Sequence, residues 1–465
     1  MKTFYKKTIL ISLLSMFNLS NSASAQTIAG GYGYSLNICG DGTVEAWGNN
    51  LWGQLGNGTN IHSTSPLQVN SLTNIIAITD AENFSLALRG DGTVWAWGYN
   101  LRGQLGNGTN TDSNIPVQVS SLTNIIAIAG GGNHSLALKN DGTVWTWGDN
   151  ASGQLGNGLN GPGTESYVPV QVNSLTNITA ISGGWLHSLA IKNDGTVWSW
   201  GSNGYRQLGN GTTVSFSNIP VQVSLIAGIT AISAARLSHS IALKNDGTVW
   251  TWGRNDYGQL GNGTTTISSV PVQVSTLTGI TDISGGYYHT LALKNDGTAM
   301  AWGRNFDGQL GNGSNTDSHL PVQVSPLSNI KAIASGAYHN LTLSNDGSAK
   351  SWGDNVSGQL GTGNNSDSKV PVQVQGLCGA PLGIVENQLE NLISVFPNPT
   401  NDFITIENNN DQLSSTYVIL NSLGQQILSG QLSGETTIVD IGGLSSGFYL
   451  LLVGEGKHSY KLLKR

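Results

Sequence analysis

A Trp-Gly pair recurs seven times along this chain, at Trp47, Trp97, Trp147, Trp200, Trp252, Trp302 and Trp352, with spacings of 50, 50, 53, 52, 50 and 50 residues. A period this long marks an array of one supersecondary unit whose copies must stack to bury their apolar faces. In the third copy, Ser135 to Leu138 alternates small or polar with apolar residues and reads as a strand. Asn140-Asp141-Gly142 predicts a tight primed hairpin turn. Val144-Trp145-Thr146-Trp147 is the partner strand, and Gln154-Leu155-Gly156 is a turn with its leucine as an apolar plug. Pro169 to Val172 reads as an edge strand, where proline is tolerated, and Ile178 to Ile181 supplies a fourth strand. No helix-period pattern of useful length occurs in residues 26–378. A linear stack needs polar caps, yet the first and last copies look like the middle ones. The expected fold is therefore all-β: a closed seven-bladed β-propeller of four-stranded blades over residues 26–378.

The block Gly-Asp-Gly-Thr-Val-x-x-Trp-Gly-x-Asn-x-x-Gly-Gln-Leu-Gly resembles the regulator-of-chromosome-condensation repeat family, from residue 27 to about 378. The resemblance implies a seven-bladed propeller. The family includes a nucleotide-exchange factor for a small nuclear GTPase and secreted bacterial inhibitors of β-lactamase, so it implies fold strongly and function weakly.

Both ends of the chain carry export signals. Lys2, Lys6 and Lys7 precede the apolar run Thr8 to Leu14 and the small residues Ser22 to Ala25, which reads as a signal peptide over 1–25. That run is too short to span a bilayer, and no transmembrane segment is expected. Residues 379–392 read as a linker, and 393–465 as a small C-terminal β-sandwich with strands at Phe403–Glu407, Tyr417–Leu420, Gly447–Val453 and Ser459–Leu463. Its Phe396-Pro397-Asn398-Pro399 start, Leu423-Gly424-Gln425 turn, Gly443 to Tyr449 block and basic end resemble the type A sorting domain of the type nine secretion system of Bacteroidetes. The resemblance implies export by that machinery and a protein either secreted or held at the outer cell surface. It also implies that the sorting domain is cut off.

Function classes narrow from charge and motif. Residues 26–378 hold 19 acidic and 13 basic residues, which disfavours nucleic acid as a partner. Five copies place a histidine in one slot, His134, His187, His239, His289 and His339, where Tyr34 and Phe84 stand in the first two. A ring spreads such positions apart, so a packing or hydrogen-bonding role is expected rather than a metal site. Asp41, Asp141 and their equivalents sit in Asp-Gly turns and have a backbone role. No catalytic residues, metal or cofactor are expected.

Where the seven copies differ, the scaffold carries something individual. The slots just before the histidine position hold Tyr32, Trp185, Arg236, Tyr287, Tyr288 and Tyr338, a candidate binding face of exposed loops. A second variable set follows each Trp-Gly pair and includes Trp52, Tyr205, Tyr257 and Phe306. Cys39 falls in the first blade and Cys378 just after the last, so a disulfide between them is expected to staple the ring. The expected function is non-catalytic recognition of a protein or glycan by a monomer. The alternatives are secreted enzyme inhibition and, third, polysaccharide hydrolysis.

Overall fold

In a computed structural model of the full chain, the structure describes residues 27–378, 393–396, 400–408, 416–421, 425–432, 436–453 and 458–464. The expected signal peptide and linker lie outside them. Two compact units divide at residue 380.

The first unit consists of seven four-stranded antiparallel sheets. Their innermost strands are Ile28–Gly30, Ile75–Asp80, Ile125–Gly130, Ile178–Gly183, Ile229–Ala234, Ile280–Gly285 and Ile330–Ser335, which open blades 1 to 7 in order. Those of blades 2 to 7 line a central channel of about 490 Å³. Blade 1 packs on both blade 2 and blade 7, so the ring is closed. The outermost strands, such as Ser63–Gln68 and Ser368–Gln373, carry the recurring proline, where no ladder partner is lost.

Two local expectations are corrected. The stretch Ile178 to Ile181 does not complete the third sheet; it opens the fourth as its inner strand. The outer strand ends at the periphery, and the chain must return to the axis before a new sheet begins. A recurring left-handed residue turns it inward, Asn74, Asn124, Asn177 and Asn329 (φ 57–59°) or Gly228 and Gly279. Asparagine and glycine tolerate that conformation best. Each blade is therefore one continuous stretch, and no strand is exchanged between blades 1 and 7.

The hairpin turn is also of another kind. Lys139 N donates to Thr143 O (3.0 Å) and Gly142 N to Lys139 O (3.0 Å), while only Gly142 has positive φ (78°). This is a three-residue loop closed by a left-handed glycine, not a two-residue primed turn. Asp141 Oδ1 accepts from Thr143 N (2.9 Å) and Oγ1 (2.6 Å), the backbone role expected of it.

The blades are joined by a cyclic set of hydrogen bonds. Each Trp-Gly indole is fully buried, and its Nε1 donates to the main-chain carbonyl of the glutamine in the preceding blade's Gln-Leu-Gly block, at 2.8–3.0 Å. The same carbonyl accepts a second bond, at 2.7–3.1 Å, from Ser35, Ser85, Ser135, Ser188, Ser240, Thr290 or Asn340. The histidine slot completes the joint: Nε2 of His134, His187, His239, His289 and His339 meets that same side chain of the next blade at 2.9–3.0 Å. Four of these hydroxyls already donate to glutamine, and Asn340 presents Oδ1, so the imidazole Nε2–H is the donor throughout. The recurring histidines thus carry the expected hydrogen-bonding role.

The seam between blades 7 and 1 uses the same bonds, Trp47 and Ser35 to Gln359 O and His339 to Ser35. Ile28 and Trp47 pack there with Leu341, Leu343, Val374 and Leu377. Cys39 and Cys378 are disulfide-bonded across it, with Cα atoms 5.5 Å apart at a sequence separation of 339.

The second unit has a three-stranded sheet, Ile393–Phe396, Phe403–Asn408 and Thr436–Asp440, and a four-stranded sheet, Gln426–Gln431, Thr416–Leu420, Gly447–Val453 and His458–Lys464. Ile404, Ile406, Ile419, Val439, Leu451 and Val453 form the core between them, a small sandwich.

Candidate binding site

The register His134↔Gly148 places the loop before each second strand beside the loop after each third strand, at one end of the blade. Both variable sets therefore share one face of the ring. The structure brings Tyr32, Trp185, Tyr287, Tyr288 and Tyr338 together there. Tyr287 is the hub: its ring centroid lies 5.2 Å from Tyr338, 5.5 Å from Trp185 (stacked), 5.8 Å from Tyr32 and 6.4 Å from Tyr288. These separations suit offset and edge-to-face aromatic contact. Tyr287 is 6% exposed, so it is not the free loop aromatic the sequence suggested; Trp185, Tyr288 and Tyr338 are half-buried and Tyr32 is 40% exposed.

The rings border a cavity of about 530 Å³ that also takes in Glu82, Tyr205, Leu237 and Arg254. Sequence reading missed Tyr205 and Arg254 as members, although the shared end of the two loop sets was available from the hairpin register. Arg254 lies against Tyr205 (4.4 Å) and Tyr288 (5.1 Å) and is ion-paired with Asp256. Arg304 lies over Tyr338 (4.9 Å) and pairs with Asp307 (3.5 Å). Tyr287 Oη donates to Glu82 Oε1 (3.3 Å). Burial, followed by the Glu82 carboxylate, holds the Tyr287 phenol far above its ordinary range. Burial also raises Glu82 above the usual carboxylate range.

Arg236 does not join this rim. Its guanidinium reaches into the channel mouth, pairs with Asp80 of blade 2, and donates to Ser335 O (3.2 Å) and Ala81 O (3.3 Å). Its side chain is 17% exposed and ties blades 2, 5 and 7 together. Ala235 takes the place of the loop glycine, its N donating to His239 O (2.9 Å), and the arginine that follows carries enough length to cross the axis, which its position in the repeat did not reveal.

Among the described residues, Cys39, Glu45 and Cys378 are close enough to suggest a metal site. The two sulfurs are bonded to each other, so they offer no thiolate.

Residues 7–236 and 125–389 each match the RCC1-like domain. The chain belongs to the RCC1-like domain family. Residues 394–464 match the secretion system C-terminal sorting domain, so this RCC1-like protein is tied to a secretion machinery and is secreted or held at the cell surface. No helix among the described residues is long and apolar enough to cross a membrane. The human E3 ubiquitin-protein ligase HERC2 is 35% identical over 123 residues, 26% of this chain and 2% of HERC2. The mitochondrial RCC1 domain-containing protein RUG3 of Arabidopsis thaliana is 32% identical over 112 residues, 24% of this chain and 25% of RUG3. The matches thus span a quarter or less of these relatives. Among solved structures, human WBSCR16 shares 26% identity with a TM-score of 0.61, covering 68% of this chain and 85% of that one. Prp20p of Saccharomyces cerevisiae shares the fold at 21% identity and a TM-score of 0.63, covering 81% and 90%.

Proposed function

We propose that this RCC1-like propeller is an exported, non-catalytic recognition module that takes a partner protein on the aromatic basin around Tyr287. The observation that carries the reading is the clustering itself. The copies repeat one scaffold, yet four of them place large aromatics where the loops converge on one cavity. Half-buried aromatic rings around a concavity are the usual centre of a protein-binding hot spot. The yeast relative Prp20p was solved in a study of its binding to Gsp1p and histones, which supports protein recognition as a use of this fold. A secreted enzyme inhibitor would be one form of the same function. Hydrolysis is disfavoured by the state of the carboxylates in the channel and beside it: Asp80 is held by Arg236, Asp282 accepts from Ile283 N (2.9 Å), and Glu82 accepts from Tyr287.

The experiment is affinity capture from culture supernatant and host extract with the full chain and its Trp185→Ala variant. The proposal expects one protein retained by the wild type and lost from the variant. Capture of polysaccharide alone, or equal capture by both forms, refutes it.

A further inference from the structure

Glu82 stands out among the basin residues. Its slot in the repeat is filled by Tyr32, Gly132, Trp185, Arg236, Tyr287 and Ala337 in the other copies, so a carboxylate there is not part of the scaffold. Its carboxylate accepts one hydrogen bond, from Tyr287 Oη (3.3 Å), and among the described residues no Lys, Arg or His nitrogen lies within 4 Å. Nearby guanidinium groups are already matched: Arg254 with Asp256, Arg304 with Asp307 and Arg236 with Asp80. One carboxylate is thus left without a cationic partner inside a basin walled by aromatic rings.

We infer that the basin selects a cation, and that it seats the ammonium end of a lysine side chain projecting from the partner protein. Ring faces attract a cation through their quadrupole, most strongly when the site is partly desolvated. The four-carbon stem of lysine is apolar enough to lie along the rings while its head reaches the Glu82 carboxylate. A cavity of about 530 Å³ leaves ample room for one such side chain with part of the loop that carries it. This inference rests on the basin being the partner site.

The test uses the full chain and two small probes, Nα-acetyl-lysine methylamide and its neutral counterpart Nα-acetyl-norleucine methylamide, with affinities read from saturation-transfer NMR titrations. The lysine probe should bind at least about ten-fold more tightly, the scale of a hydrogen bond to a charged group. Glu82→Gln keeps an acceptor for Tyr287 and should erase the difference. Equal binding of the two probes, no transfer to either, or an unchanged preference in Glu82→Gln overturns the inference. The captured partner separates the two claims. Loss in Trp185→Ala with full retention in Glu82→Gln removes only the cation, whereas retention in Trp185→Ala removes the basin itself.

Discussion

Lowering the pH from 7.5 to 5 should destabilise the propeller strongly through its five inter-blade histidines. Burial depresses His134, His187, His239 and His339 to about 3 and His289 to about 4, from 6.5. Folded values below the unfolded value mean that unfolding takes up protons. The stability is complete above pH 6.5 and is lost as pH falls toward the folded values. At pH 5 each histidine costs about 2 kcal/mol by linkage. Five together reach roughly 10 kcal/mol as a ceiling, and even half of that is comparable to the whole stability of many domains. Burial pushes Asp282 up to about 6, and it works in the opposite direction, offsetting a minor part. All 13 tryptophans lie in residues 47–352, so their fluorescence reports on the propeller alone during urea unfolding of the full chain. The midpoint should fall steeply between pH 7.5 and 5. Phe84 shows that the slot takes a phenyl ring, so His187→Phe should reduce the slope by about 1.4 kcal/mol per pH unit. A midpoint that is unchanged or higher at pH 5, or an unaltered slope in His187→Phe, refutes the reasoning.

Three further outcomes follow from the joints of the ring. Reducing the Cys39–Cys378 bond, or replacing Cys378 with serine, should lower propeller stability by up to about 5 kcal/mol, because no exchanged strand holds that seam; identical urea midpoints with and without reductant would falsify this. Trp200→Phe should cost about 1–3 kcal/mol by leaving the Gln154 carbonyl without its indole donor, whereas Trp145→Phe, on the half-buried side of its strand, should cost clearly less; equal losses in thermal or urea unfolding contradict it. Arg236→Ala should cost about 3–5 kcal/mol by stranding Asp80 in the channel, and adding Asp80→Asn should recover part of that. A double variant no more stable than the single one removes the ion pair from the account.

Much of this fold was legible because one physical role repeats. Trp147 and its equivalents mark each blade since the indole must find the same buried carbonyl every time, and Leu155 recurs because the same turn needs the same plug. What the repeat hides is its phase and its exceptions. Any cut through a cyclic pattern gives the same residue order, so Ile178 to Ile181 reads equally well as the end of one unit or the start of the next. The hairpin was assigned to the wrong turn class because Asp-Gly serves both; the extra residue is visible only in the bond between Lys139 N and Thr143 O. At the candidate site, variation among the copies pointed to the loops that border the aromatic basin. It could not show that Tyr287 would be covered by its neighbours or that Arg236 would turn inward to Asp80, since both depend on which blades face each other across the axis.

The central claim is that an exported propeller recognises a protein through the aromatic basin. Its most direct measurement is calorimetric titration of the captured partner into the full chain and into Trp185→Ala, at a pH where both are folded. The account predicts one-to-one binding by the wild type and a loss of about 2 kcal/mol or more in the variant, the size of a hot-spot residue. Affinity within error of the wild type in Trp185→Ala would contradict it.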